Sequence, residues 1–267
     1  MKARVPTLAA LGVAILALFA GGAAAAAASC AARSGEATLP LVELFTSEGC
    51  DSCPPADRWL SATFPPGGAG AGASILAFHV DYWDRLGWKD RFAAPAYAQR
   101  QRVAVGTAGG GAFAYTPQVL VQGRDVAPGR RAEVPERVAA AARRPARAAV
   151  TLDATPGEAG AQTVRATATV ADRAGARRAA LWLAYTDSGH VTEVKAGENR
   201  GVRLAHDHVV RAWHGPFPAG ADGVATATVT FAPPTERGRA AAVVAVVVDA
   251  GSGDVLQTLT LPACGGG

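Results

Sequence analysis

The chain has 267 residues, 49% of them hydrophobic and 18% charged, with a formal charge of +4. That composition is globular and sufficient for two domains of modest size. The basic residues are scattered arginines apart from one small cluster, Arg143, Arg144 and Arg147. With no basic stripe interleaved with aromatics, nucleic acid is excluded as an expected partner.

The opening, MKARVPTLAALGVAILALFAGGAAAAAASC, is basic at Lys2 and Arg4, apolar from Leu8 to Ala20, then small up to Ala28. Basic, apolar, then small is the pattern of a secretory signal peptide over residues 1–28, cleaved after Ala28. The tract is also long enough to remain as a membrane anchor at roughly 20 residues. Its second half is Gly and Ala, which insert poorly, so cleavage is the preferred reading. Export places the mature chain in the periplasm or outside the cell. Cys30 follows the small tract and has two readings. It is the lipid-modified first residue of a lipoprotein, or it pairs with Cys264 in an oxidising compartment. A membrane enters only through an uncleaved N-terminus or a lipidated Cys30.

The segment LPLVELFT, 39–46, reads as a buried strand with Glu43 as its one polar intruder. SEGCDSC then turns the chain into a helix, with Asp51 or Ser52 as cap and Pro54 and Pro55 in the first turn. Cys50 and Cys53 therefore sit where a strand gives way to a helix. The helix amides and dipole favour the ionised thiolate of Cys50. A C-x-x-C on such a turn reads as a redox pair, Cys50 the exposed attacker and Cys53 the buried resolver. Residues 74–80 form a second strand, which delivers Asp81, Tyr82, Trp83 and Asp84 to the same sheet edge. Asp81 is a candidate proton relay and Trp83 a candidate wall of a substrate groove. Residues 95–105 suit a helix and 106–111 a glycine-rich loop. AYTPQVLVQGRDV gives two strands turning at Gln122-Gly123, and 130–142 a last helix.

Strand, C-x-x-C helix, strand, helix, hairpin, helix is the order of a thioredoxin-like domain, assigned to residues 39–145. In that fold the X-Pro bond before the hairpin is cis and lies against the dithiol. Thr116 and Pro117, with Tyr115 beside them, then shape the substrate groove, Thr116 offering its backbone to an extended chain.

Beyond Pro145 the pattern changes. VRATATV (164–170) and VATATVTF (224–231) alternate apolar and polar residues, the mark of half-buried strands. Similar runs at 179–186, 190–195, 203–213, 241–249 and 255–261 suggest an all-β antiparallel sandwich over residues 148–262. The expected fold class is an α/β thioredoxin-like domain followed by that sandwich. Zinc needs four ligands, and only Cys50 and Cys53 are closely spaced. His79, in mid-strand, reads as a hydrogen-bonded core histidine. His206 and His208 read as a surface or edge pair flanking Asp207. Neither a metal nor an organic cofactor is expected.

LVELFTSEGCDSCPPAD, FHVDYWDRLGWKD, YTPQVLVQGR and GENRGVRLAHDHVVR, in that order, resemble the segments of an exported bacterial family catalogued as domain of unknown function 1223. The resemblance runs from about Leu39 to Leu261 and implies secretion and a thioredoxin-like fold. It carries little function, the family having no settled activity. One departure is the loop 106–114, unusually rich in Gly and Ala. The expected function is thiol–disulfide exchange on protein thiols through Cys50 and Cys53, in company with a redox partner. The alternative is a non-catalytic secreted binding module with a structural Cys50–Cys53 bond, or a copper(I) carrier, which needs only two soft ligands.

Overall fold

The computed structural model describes Met1 and residues 30–67, 72–107, 113–172, 175–232 and 234–264. The expected signal peptide lies outside the described residues, as do residues 108–112 of the Gly- and Ala-rich loop. The first half contains β1 (Cys30–Arg33), β2 (Leu41–Thr46), α1 (Pro54–Thr63) and β3 (Ser74–His79). After a 3-10 turn at Asp81–Leu86 come α2 (Pro95–Thr107), β4 (Gln118–Val121), β5 (Arg124–Val126) and α3 (Val134–Ala142).

Every residue of β2 and β3 is buried, because helices cover both sheet faces. Val42 and Leu44 pack on one side with Ala56 and Leu60 of α1 and Val138 of α3. Leu41, Phe45 and Phe78 pack on the other with Tyr97 and Ala98 of α2. A strand covered on both faces reads as a continuous apolar run. Glu43, the intruder in that run, is fully buried and held by two bonds from α2: Arg100 Nε and Nη2 donate to its two carboxylate oxygens at 2.9 and 3.0 Å.

The remainder is β6 (Ala148–Pro156), β7 (Gln162–Val170), β8 (Ala179–Ser188), β9 (His190–Glu193) and β10 (Arg203–His206). They are followed by β11 (Val209–Pro218), β12 (Val224–Phe231), β13 (Arg239–Asp249) and β14 (Val255–Pro262). The period-two segments fold as read, with Val164, Ala166, Ala168 and Val170 of β7 all turned into the core. The run expected over 203–213 is broken in two at His208, whose φ is +56°.

The fold class differs from the expectation of an α/β thioredoxin-like domain followed by a sandwich. The chain is mostly β-sheet, 44% strand against 21% helix. Its main sheet is mixed and eight-stranded, ordered β14-β13-β8-β11-β3-β2-β4-β5. The reason lies at the edge of β3. Val209 of β11 pairs in parallel with Ala77, and the Ala77 amide donates to the His208 carbonyl at 2.8 Å. An apolar strand such as β3 cannot leave that row of amides unpaired inside a protein. The sheet therefore runs on into the C-terminal strands, and the helices lie against one end of a β-rich body. A second sheet, β1-β6-β7-β12, stacks Val150, Leu152, Val164 and Ala166 onto Leu181, Leu183, Val243 and Ala245 in a sandwich-like core. A disulfide joins Cys30 to Cys264, across 234 residues.

Candidate functional site

The other disulfide, Cys50–Cys53, sits at the start of α1. Neither Asp51 nor Ser52 caps that helix as anticipated. The capping residue is Cys53 itself, whose carbonyl accepts the amides of Ala56 at 2.8 Å and Asp57 at 3.2 Å. Pro54 and Pro55 have no amide to leave unpaired in the first turn. The disulfide thus faces the positive end of a ten-residue helix.

The predicted groove residues assemble on one side of it. The Thr116–Pro117 bond is cis. Thr116 Oγ1 lies 3.5 Å from Cys50 Sγ and accepts the Trp83 indole N–H at 2.8 Å. Gly49 lets Trp83 in this close: a Cβ there would stand 3.1 Å from that of Trp83. The Tyr115 hydroxyl donates to Asp125, while its carbonyl is held by the buried Gln101 amide at 2.7 Å. Asp81 opens the 3-10 turn, half-buried, with no hydrogen bond to either cysteine.

A second acid, Asp57, lies one helical turn beyond Cys53, its amide donating to the Cys53 carbonyl. It is buried and accepts the Thr46 hydroxyl at 3.1 Å. Burial pushes its carboxyl above the usual range, against the opposing pull of His206 and His79. Next to it lies a cluster the sequence did not disclose. His79 Nδ1 meets Asp90 Oδ2 at 2.7 Å. The same Asp90 oxygen accepts the Glu48 amide at 2.8 Å. Trp88 donates its indole N–H to Glu48 Oε2 at 2.8 Å. His206 Nε2 lies 3.3 Å from Glu48 Oε1, without hydrogen-bond alignment. Burial works against the ionised form of His79, yet Asp90 outweighs it and leaves the imidazole pKa raised. The converse balance leaves Asp90 below its usual range. Burial also raises Glu48, but its His206, Thr192 and Trp88 contacts prevail, and it too is lowered.

His79 is thus the core histidine expected. The expectation for the other two fails: His206 is buried against Glu48, and His208 Nε2 bonds the Phe64 carbonyl at 2.6 Å. The reversed φ at His208 turns the two away from a common strand face.

Both sulfurs are buried, Cys50 and Cys53 being 0% exposed, whereas Cys50 was expected at the surface. Part of the cover comes from the ribbon β9–β10. The segment 194–202 at its tip lies on the dithiol turn, where Asn199 Nδ2 donates to the carbonyls of Glu48 and Cys50, each at 2.9 Å. The Asp51 amide donates to Glu198 at 3.3 Å. The tip turns at Gly197, whose φ is +72° and where a Cβ would come within 3.2 Å of that of Trp88. Replacing Asn199 with alanine deletes both latch bonds, each worth on the order of 1 kcal/mol. In reduced protein, alkylation of Cys50 is expected to quicken about tenfold, read by timed iodoacetamide quenching and peptide mass mapping.

A larger cavity of about 410 Å³ lies between α2 and the sheet, floored by the stacked rings of Trp182 and Trp213. Its charged walls are already engaged, Arg100 with Glu43 and Asp249 with Arg178, so reactive groups are concentrated at the disulfide. Among the described residues no helix is long and apolar enough to cross a membrane. The two disulfides are of the kind that an oxidising compartment maintains.

Over residues 41–249 the chain matches the family described as "Protein of unknown function (DUF1223)", and it belongs to that family. No curated protein matches it. Among solved structures, it is similar to protein AGR_C_4864 from Agrobacterium tumefaciens, at 24% identity and a TM-score of 0.61, covering 87% of this chain and 97% of that one. HBP35 of Porphyromonas gingivalis superposes with the same TM-score, 0.61, at 16% identity, covering 85% of this chain and 76% of that one. At these identities the likeness concerns the fold alone.

Proposed function

We propose that this is an exported thiol–disulfide oxidoreductase acting on protein thiols or disulfides. Cys50 attacks as the thiolate, Cys53 resolves the mixed disulfide, and Thr116, Pro117 and Trp83 form the wall against which substrate lies. The observation that carries the reading is the place of the Cys50–Cys53 bond at the N-terminus of α1, with the Thr116 hydroxyl 3.5 Å from the Cys50 sulfur. A helix N-terminus stabilises a thiolate and so favours the reduced form that does the attacking. Exchange requires the 194–202 segment or the Thr116 side to give way, since the sulfurs are enclosed.

That enclosure favours a second reading, a structural disulfide in a binding module. The two readings part in their reduction potential. The test equilibrates the full chain in glutathione or dithiothreitol buffers, quenches with an alkylating reagent and maps Cys50 by mass. Exchange predicts a midpoint within roughly −120 to −270 mV, while a midpoint below about −300 mV assigns the bond to structure.

A further inference from the structure

Beside the disulfide lies a hollow of about 220 Å³ whose walls include Ser52, Tyr115, Thr116, Pro117, Pro128 and Arg131. Two of those walls touch the reactive sulfur: Ser52 Oγ is 3.4 Å and Thr116 Oγ1 3.5 Å from Cys50 Sγ. A molecule seated there is one side chain away from the bond to be exchanged.

Arg131 stands apart from its neighbours. Its guanidinium carbon lies 5.8 Å from the centre of the Trp59 ring, and its Nη1 is buried with no acceptor among the described residues. The nearby acids are taken. Glu133 is shared between Arg130 and Arg137. Asp125 accepts the Tyr115 hydroxyl and the Gln118 amide. Among the described residues the Arg131 side chain has no carboxylate partner, and a guanidinium N–H buried without an acceptor is costly. Its planar fork matches a carboxylate better than any neutral acceptor.

We infer that the hollow binds a carboxylate carried close to the substrate sulfur, with Arg131 as its counter-ion. The substrates of the exchange reaction are then acidic thiols or disulfides, a class the proposed activity leaves open and on which this inference rests. In the reaction Cys50 thiolate attacks one substrate sulfur, the substrate S–S bond breaks and the first substrate thiolate leaves. Cys53 releases its proton to water and attacks the Cys50 sulfur, freeing the second thiolate. The protein dithiol is oxidised and the substrate disulfide reduced to two thiols.

The test uses the full chain, reduced with dithiothreitol and desalted. It is offered bis(2-carboxyethyl) disulfide and bis(2-hydroxyethyl) disulfide, each rate being divided by that of dithiothreitol with the same reagent. A second arm compares disulfide-linked dimers of two five-residue cysteine peptides, one with Glu and one with Gln beside the cysteine. We expect about a fivefold preference for the acid, falling to about one in Arg131→Gln and partly kept in Arg131→Lys. Preference in the small-molecule arm identifies a low-molecular-weight acid as sufficient, and preference in the peptide arm alone identifies an acidic protein segment. Equal rates in both arms overturn the inference and leave the exchange reaction standing. Failure of every disulfide to react overturns the exchange reading. The hollow is then judged separately, by NMR titration of the oxidised chain with the S-methylated Glu peptide. Shifts at Ser52 and Thr116 that the Gln peptide does not cause, and that Arg131→Gln removes, uphold the carboxylate site, and their absence refutes it.

Discussion

When the reduced Cys53→Ala chain meets a disulfide substrate, it is expected to stop as a stable mixed disulfide on Cys50. The first attack needs only the Cys50 thiolate, and without Cys53 nothing expels the bound half of the substrate. Cys50→Ser is expected to slow exchange by about a thousandfold or more, because the attacking thiolate is lost and the remaining cysteine, at the N-cap of α1, is itself buried. The two variants thus fail in opposite ways, one trapped and one inert. Non-reducing electrophoresis and mass mapping of the adduct separate them. An adduct on residue 53 of the Cys50→Ser chain, formed as fast as that of Cys53→Ala, would reverse the roles assigned here. The experiment in the native host also names the substrate, since whatever remains attached to Cys50 is recovered with it.

The second large effect concerns stability. Glu43 is fully buried on β2, and Arg100 of α2 clasps both its oxygens. Arg100→Met leaves a carboxylate enclosed among apolar side chains with no cation, and the expected loss of folding free energy is about 3–5 kcal/mol. The double variant Glu43→Leu, Arg100→Met is expected to recover most of it, because a dry apolar pair replaces a charge that had to be neutralised. Urea denaturation of the three chains gives the coupling directly. A single variant within about 1 kcal/mol of the parent would mean that water reaches Glu43.

Much of this molecule was legible from residue patterns. Alternation at 164–170 and 224–231 placed β7 and β12, and the apolar run at 74–80 placed β3. Cys50, Cys53, Thr116 and Trp83 come together as the motifs suggested. The assembly was not legible. Nothing local in HDHVV announces that Val209 will pair with Ala77, because that contact is decided by which strand is left with open amides after the rest has folded. Asn199 lay in the quoted GENRGVRLAHDHVVR segment, which assigned it no contact. Its bonds to the carbonyls of Glu48 and Cys50 span about 150 positions, which one sequence cannot reveal. Asp57, Glu48 and Arg131 drew no assignment from the sequence, because surroundings, not residue type, give them their character.

The bond between Cys30 and Cys264 makes the described chain a covalent ring. Tension applied at its two ends is borne by sulfur before any strand is asked to part. A single peptidase cut in an exposed loop opens the ring but liberates no fragment, so the sheet retains all its strands on one molecule. Where cleaved chains are not remade in place, survival of such a fold then depends on the second cut, not the first.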